Sequence, residues 1–346
     1  MTRVSLGRAG RLLGAALLGL LGATLLAACG PTRGPATLIL YNGQHPETTD
    51  ALVSAFERQT GIQVAVRSND EDILADQIVQ EGRSSPADII YTENSPALEY
   101  LQGEHLLASV TPATLAAVPA KYSSPESDWV GVSARVSVMV YNTKQLSASE
   151  LPKSVLGLAD HRWKGLLGIA PGETDFQPII TSIVHRYGKA AAVAWLKGIQ
   201  ANAGSHVYPD NETIAARVNS GQIAIGIINH YYWYRLRAEV GSAQMHSAIA
   251  FFRPRDPGYV LDVSGAAVLK SSAHKAEAEK FLAFLVSRQG QRILANSPSF
   301  EYPLRPGVAA APALRPLASL RPAEVSVAQL GDGAEAVALL HQVQLL

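Results

Sequence analysis

The sequence predicts an α/β protein with mainly parallel sheets. Short apolar runs end in polar loops, amphipathic helical patterns alternate with them, and 346 residues are enough for two lobes with real cores. Hydrophobic residues make up 47% and charged residues 17%, which excludes a disordered chain.

The first apolar run, ATLILYNGQH at 36–45, ends in the turn signal Asn42-Gly43. In ETTDALVSAFERQTG, 47–61, Leu52, Val53 and Phe56 fall at helical spacing and Gly61 marks the stop. IQVAVRS, 62–68, alternates like a strand, and a helix is expected near 70–82. ADIIYTEN at 87–94, GLLGIAPGE at 165–173 and GQIAIGIINHYY at 221–232 repeat the first form: an apolar run with a polar end. The helical pattern FQPIITSIVHRYG follows the second of these.

The N-terminus is a separate object. Arg3, Arg8 and Arg11 precede an apolar stretch, 12–28, which ends in Leu26-Ala27-Ala28-Cys29. That is the layout of a secretory signal peptide over 1–28, and the stretch is short for a membrane span. The small residues before Cys29 match the lipobox of bacterial lipoproteins. Cys29 is the single cysteine, so an internal disulfide is excluded and lipid attachment supplies its use. The segment through residue 35 reads as a tether. Removing 1–28 leaves 26 basic against 29 acidic residues, a balance that offers nothing to a nucleic acid.

In open α/β sheets ligands bind beyond the carboxyl ends of the strands. Four loops at such ends carry His45, then Glu93-Asn94, then Glu173-Thr174, then Asn229 with Tyr231 and Tyr232. Each is bland alone: a satisfied histidine, a solvated carboxylate, a packed aromatic pair. Their shared topological position is the signal. Phenolate and carboxylate are hard oxygen donors and imidazole suits iron, so the set fits a hard, highly charged cation, Fe3+ best of all. Two phenolates and one carboxylate would cancel three positive charges. Enzyme signatures are missing from the sequence: no G-x-S-x-G, H-E-x-x-H, P-loop or G-x-G-x-x-G after a strand.

YNGQHPE (41–47), ADIIYTEN (87–94), INHYYWYRL (228–236), LDVSGAAVLKSSAHKAEAEKFLAFLVSRQGQ (261–291), FEYPLRPGV (300–308) and LGDGAEAVALLHQ (330–342) resemble the ferric-ion-binding proteins. These are the extracytoplasmic solute-binding components of bacterial iron ABC transporters. The resemblance implies a periplasmic-binding-protein-like (type II) fold of two hinge-linked lobes, and a monomer that closes on Fe3+ and delivers it to a permease. His45, Glu93, Tyr231 and Tyr232 match the family's metal ligands, and Pro46 after His45 favours this His-Glu-Tyr-Tyr pattern. A phosphate or carbonate would complete the coordination. Asn94 and Asn229, with Asn211 as a weaker match and Thr174 as a hydroxyl donor, stand where such an anion is held. Arg135 supplies positive charge near the cleft or forms a salt bridge on the lobe surface. Glu173 departs from the pattern, because a carboxylate there repels an anion. The expected lobes are 36–135 with 262–310, and 136–261 with 311–346.

Other readings are a solute-binding protein for a polyamine, thiamine or phosphonate stacked on the tyrosines, an exported hydrolase using Glu93 and a water, and an adhesive lipoprotein.

Lipid attachment contributes about 0.8 kcal/mol per buried CH2, and several chains together anchor stably. Cys29→Ala is therefore expected to release or misprocess the protein in cell fractionation. Unchanged membrane association of that variant would contradict a lipid anchor at Cys29.

Overall fold

A computed structural model describes residues 37–346; the expected signal peptide at 1–28, Cys29 and the expected tether through residue 35 fall outside the described residues. The strands are β1 (Thr37–Asn42), β2 (Gln63–Ser68), β3 (Ile89–Thr92), β4 (Val130–Asn142), β5 (Leu167–Gly168), β6 (Ile225–Asn229), β7 (Ser247–Ala250), β8 (Leu261–Val268) and β9 (Tyr302–Pro303). Helices lie between most of them, so the α/β class predicted from alternation is met.

The sheet order is β2-β1-β3-β8-β4-β6-β5, with β7 and β9 also paired to β4. Strand β4 is the spine. All thirteen of its residues are buried. From Val130 to Val136 it pairs with β8, and β9 joins it at Ser133 and Ala134. From Ser137 onward it pairs instead with β6 and β7. One strand thus belongs to two sets of neighbours, changing between Val136 and Ser137.

The sheets are mixed, which corrects the mainly parallel expectation. β1 is parallel to β2 and β3, and β5 to β6. Every pairing made by β4 and β8 is antiparallel. These two strands run against each other, and the parallel groups are laid down on either side of them. The predicted run at 165–173 gives only the two residues of β5 and an isolated bridge from Ile169 to Val207. Side chains crowd it: a Cβ on Gly168 would lie 2.4 Å from Ile223 Cδ1.

Strand-to-helix junctions position the polar residues. Helix Pro46–Thr60 starts straight after the β1 loop, with proline in its first turn and Gly61 at φ 74° behind it. Its buried face carries Leu52, Val53 and Phe56, and Phe56 packs edge-on against Phe281. Helix Glu71–Glu81 follows β2, helix Pro96–Gly103 follows β3, and helix His230–Val240 begins at the residue after β6. Tyr231 and Tyr232 therefore lie in the first turn of a helix, not on a strand or loop.

Candidate metal centre

His45 caps helix Pro46–Thr60, and Glu93 and Asn94 lie just beyond β3. Thr174 opens a short helical turn, Thr174–Phe176, and Asn211 opens helix Asn211–Ser220. Asn229 is the cap of helix His230–Val240. Residues far apart in sequence meet here because each sits where a chain direction changes at a strand end.

Three of the four candidate ligands converge on one oxygen. Glu93 Oε1 accepts the Tyr231 hydroxyl hydrogen bond at 2.5 Å and lies 3.2 Å from His45 Nε2. Tyr232 completes the group through its ring, whose centroid is 4.2 Å from that of Tyr231. Tyr231 is fully buried, and Tyr232 and His45 are nearly so. On its far side His45 Nδ1 is 3.4 Å from Arg235 Nη1, and the same Arg235 nitrogen is 3.4 Å from Glu212 Oε1. The phenols' place in a helical first turn favours their ionised form, because the N-terminal end of the helix dipole is positive. A pocket of about 150 Å³ adjoins the group, lined in part by Asp70, Asp72, Glu93, Glu173 and Thr174.

The residues matched to an anion gather around a carboxylate that sequence reasoning missed. Asp175 is buried; its Oδ1 accepts from Asn94 Nδ2 at 2.9 Å and its Oδ2 from Asn211 Nδ2 at 3.1 Å. Its Oδ2 is also 3.2 Å from the Tyr231 hydroxyl. Asn94 Nδ2 reaches Thr174 Oγ1 at 3.2 Å as well. Asn229 stands apart, its Oδ1 3.5 Å from Ser137 Oγ. Glu173 lay in the sequence reading where Asp175 now stands. The turn at Thr174–Phe176 is what brings the second carboxylate, not the first, onto these donors.

Arg135 forms no surface salt bridge. It is fully buried on β4 and ion-paired with buried Glu301. Glu301 also accepts from Ser133 Oγ at 3.0 Å and Gln44 Nε2 at 3.2 Å. Arg135 Nη1 donates to Asn94 Oδ1 at 3.0 Å, and its guanidinium carbon lies 5.7 Å from the Tyr231 ring centre. Its charge thus borders the centre from the point where β4 changes partners.

Crowding of acids governs protonation here. Burial, with the charge of Asp175 next, pushes the Glu93 carboxyl up to about 8. Burial and then Asp175 push Glu173 up to about 9. Burial and the charge of Glu93 push Glu71 up to about 8. Both phenols rise well above 10, through burial first and then Asp175 and Glu93. Burial holds His45 near 4, against the pull of Glu301. Among the described residues no three His, Cys, Asp or Glu side chains are disposed to share a metal ion, so the phenols decide whether a metal fits. A hard, highly charged cation would replace the protons that now hold these groups neutral.

Residues 84–323 match the family model described as bacterial extracellular solute-binding protein. The chain is 41% identical over 325 residues to the major ferric iron-binding protein of Neisseria meningitidis serogroup A, covering 93% of this chain and 96% of that one. It is 37% identical over 329 residues to the Fe(3+)-binding periplasmic protein of Serratia marcescens, covering 94% and 96%. Among solved structures, iron-bound HitA from Pseudomonas aeruginosa superposes with a TM-score of 0.85 at 42% identity, over 89% of this chain and 99% of that one.

The raised carboxyls fix a pH dependence. A carboxyl whose folded pKa lies above its unfolded value stabilises the fold at low pH and loses that contribution as pH rises through the folded pKa. For Glu71, Glu93 and Glu173 the loss runs from about 4.5 up to about 8 or 9. His45 and His230, both lowered by burial, oppose it only below the ordinary histidine value of 6.5. Between pH 6.5 and 9 the melting temperature of metal-free protein is therefore expected to fall, and to fall less steeply in Glu173→Gln. A flat profile in both proteins would contradict this arrangement of acids.

Proposed function

The chain belongs to the bacterial extracellular solute-binding proteins, and from that premise we propose that it captures ferric iron outside the cytoplasm and passes it to an ABC permease. The observation that carries the reading is the approach of the Tyr231 hydroxyl and His45 Nε2 to one oxygen, Glu93 Oε1, at 2.5 and 3.2 Å, with the Tyr232 ring tilted beside that of Tyr231. A trivalent ion favours the deprotonated phenols, so two phenolates and the Glu93 carboxylate neutralise it. Arg135 stays outside the coordination sphere, where its charge supports the phenolate form of Tyr231.

Asp175 changes the role of an external anion. In this reading Asn94 and Asn211 hold the Asp175 carboxylate, supported by the hydrogen bonds that both make to it. The chain then supplies from within the negative oxygen that a phosphate or carbonate would bring. One position of an octahedral ion then remains for water or a small anion, and the acids lining the adjoining pocket favour water there.

The same reading divides the chain into two lobes. One lobe comprises 36–135 with 262–310 and contributes His45 and Glu93; the other comprises 136–261 with 311–346 and contributes Asp175 and the tyrosines. The change of partners along β4 at Val136–Ser137 supports a hinge there. Closure is then expected to follow iron binding, because only the closed form lets both lobes contribute ligands to the ion. The protein acts as a monomer, held to the membrane by lipid on Cys29.

An organic solute is disfavoured because relatives 37% and 41% identical over nearly the whole chain are ferric iron-binding proteins. A hydrolase is disfavoured because the family is one of solute-binding transport proteins.

Tyr231→Phe and Tyr232→Phe separate ligation from packing. A packing tyrosine would lose one hydroxyl hydrogen bond, worth about 0.5–1.5 kcal/mol, and leave ferric binding intact. As ligands, each is expected to lower ferric affinity by orders of magnitude and weaken the visible phenolate-to-iron absorption, which vanishes in the double variant. Ferric titrations followed by absorbance, run with and without phosphate, provide the check. Unchanged affinity in the double variant would return both residues to the core, and an absolute requirement for phosphate would remove Asp175 from its assigned role.

A further inference from the structure

Glu71 opens helix Glu71–Glu81, a place where an acid ordinarily faces solvent and complements the helix dipole. Here it is buried, with 4% of its surface exposed. Its Oε2 accepts the backbone N–H of Glu93 at 2.5 Å and that of Asn94 at 2.7 Å. Its Oε1 accepts from Asn94 Nδ2 at 3.1 Å. Both oxygens are thus committed to the loop that carries Glu93, and Glu71 has no part in the ligand set described above.

The same residue is pressed against the other ligand loop of its lobe. A Cβ on Gly43 would lie 2.6 Å from Glu71 Cβ and 3.0 Å from its Cα. Gly43 is two residues before His45, and its own N–H donates to the Tyr91 carbonyl at 2.7 Å, tying the loop to β3. Glycine is needed here for clearance: any side chain would push the start of helix Glu71–Glu81 away from β3.

We infer that Glu71 is the positioning residue of the centre: it clamps the Glu93–Asn94 backbone so that Glu93 Oε1 meets His45 Nε2 and Tyr231, with Gly43 providing the space. The inference rests on the ferric reading above and adds a residue to it. Two adjacent N–H groups directed at one carboxylate fix the orientation of that peptide unit. Without the acceptor, the two buried donors must turn toward other partners, and the Glu93 side chain moves with them. The Asn94 amide, which also donates to Asp175, is aligned by the same clamp, so one carboxylate orients both the Glu93 loop and a donor to Asp175.

Ferric titrations against a competing chelator test this in the full-length protein, in wild type, Glu71→Ala, Glu71→Gln and Gly43→Ala, each alone and combined with Glu93→Gln. Loss of an orienting partner lowers metal affinity about 10–100-fold, and that is the loss expected for Glu71→Ala. Glu71→Gln keeps a carbonyl for the two N–H groups but turns its NH2 toward Asn94 Nδ2, and is expected to restore part of the affinity. In the Glu93→Gln background Glu71→Ala is expected to cost far less, because the side chain it positions is already disabled. Gly43→Ala displaces Glu71 without removing a polar group, and carries the test if Glu71→Ala does not fold. Wild-type affinity in Glu71→Ala, an equal loss in both backgrounds, or a Gln variant no better than Ala would overturn the inference while wild type still binds iron. Wild type that binds no ferric ion would overturn the ferric reading itself, and this inference with it.

Discussion

Glu93, Asp175 and Glu173 and two phenols share one enclosed place, and they cannot all ionise unless a positive charge joins them. Every other feature of the centre answers to that constraint. Burial and the charge of Asp175 push the Glu93 carboxyl up to about 8 and that of Glu173 up to about 9, and the Tyr231 hydroxyl donates to Glu93. A trivalent ion substitutes for several protons at once, which is why a site with so many hard oxygen donors favours a hard, highly charged cation. The same crowding makes an ion-free closed state costly once the solution is basic enough to ionise the carboxyls.

The buried pair of Arg135 and Glu301 fits this constraint. A buried ion pair is weak evidence for stability, since desolvation offsets much of its attraction. Here it is well supplied with partners: Ser133 and Gln44 donate to Glu301, and Asn94 accepts from Arg135. Arg135 sits on β4 just before that strand exchanges β8 for β6, and Glu301 lies next to β9. The pair therefore links β4 with the loop carrying Glu93 and Asn94. Nearby, His230 accepts from the Val136 N–H at 3.3 Å and lies 3.0 Å from the Phe300 carbonyl, so the helix bearing the tyrosines is tied to the same point of β4.

Much of this was legible in the sequence, for physical reasons. Strand ends are marked by an abrupt change from apolar to polar, so His45, Glu93 and the tyrosine pair could be placed on one side of the sheets. Strand direction was not legible, because an apolar run reads the same in a parallel or antiparallel pairing; nothing in VGVSARVSVMVYN marks where β4 exchanges one set of neighbours for another. Asp175 was missed because Glu173 lies two residues earlier, and only the helical turn between them decides which carboxylate faces Asn94. Glu71 was missed because an acid at a helix start is the commonest solvated pattern. The signal that could have found it is Gly43, a glycine without a positive φ whose missing side chain makes room for something close by. Arg135 stands in a run of apolar and small residues, GVSARVSVMV, and a lone cation in such a run signals a buried partner rather than a surface one.

The central claim is that phenolate oxygens from one half of the molecule and His45 and Glu93 from the other hold a single ferric ion. Anomalous diffraction from crystals of the iron-loaded protein, collected at the iron edge, measures this most directly. The account predicts one iron peak in contact with His45 Nε2, a Glu93 carboxylate oxygen and the phenolate oxygens of Tyr231 and Tyr232. An iron peak elsewhere, or one held by carboxylates with both tyrosines turned away, would contradict it.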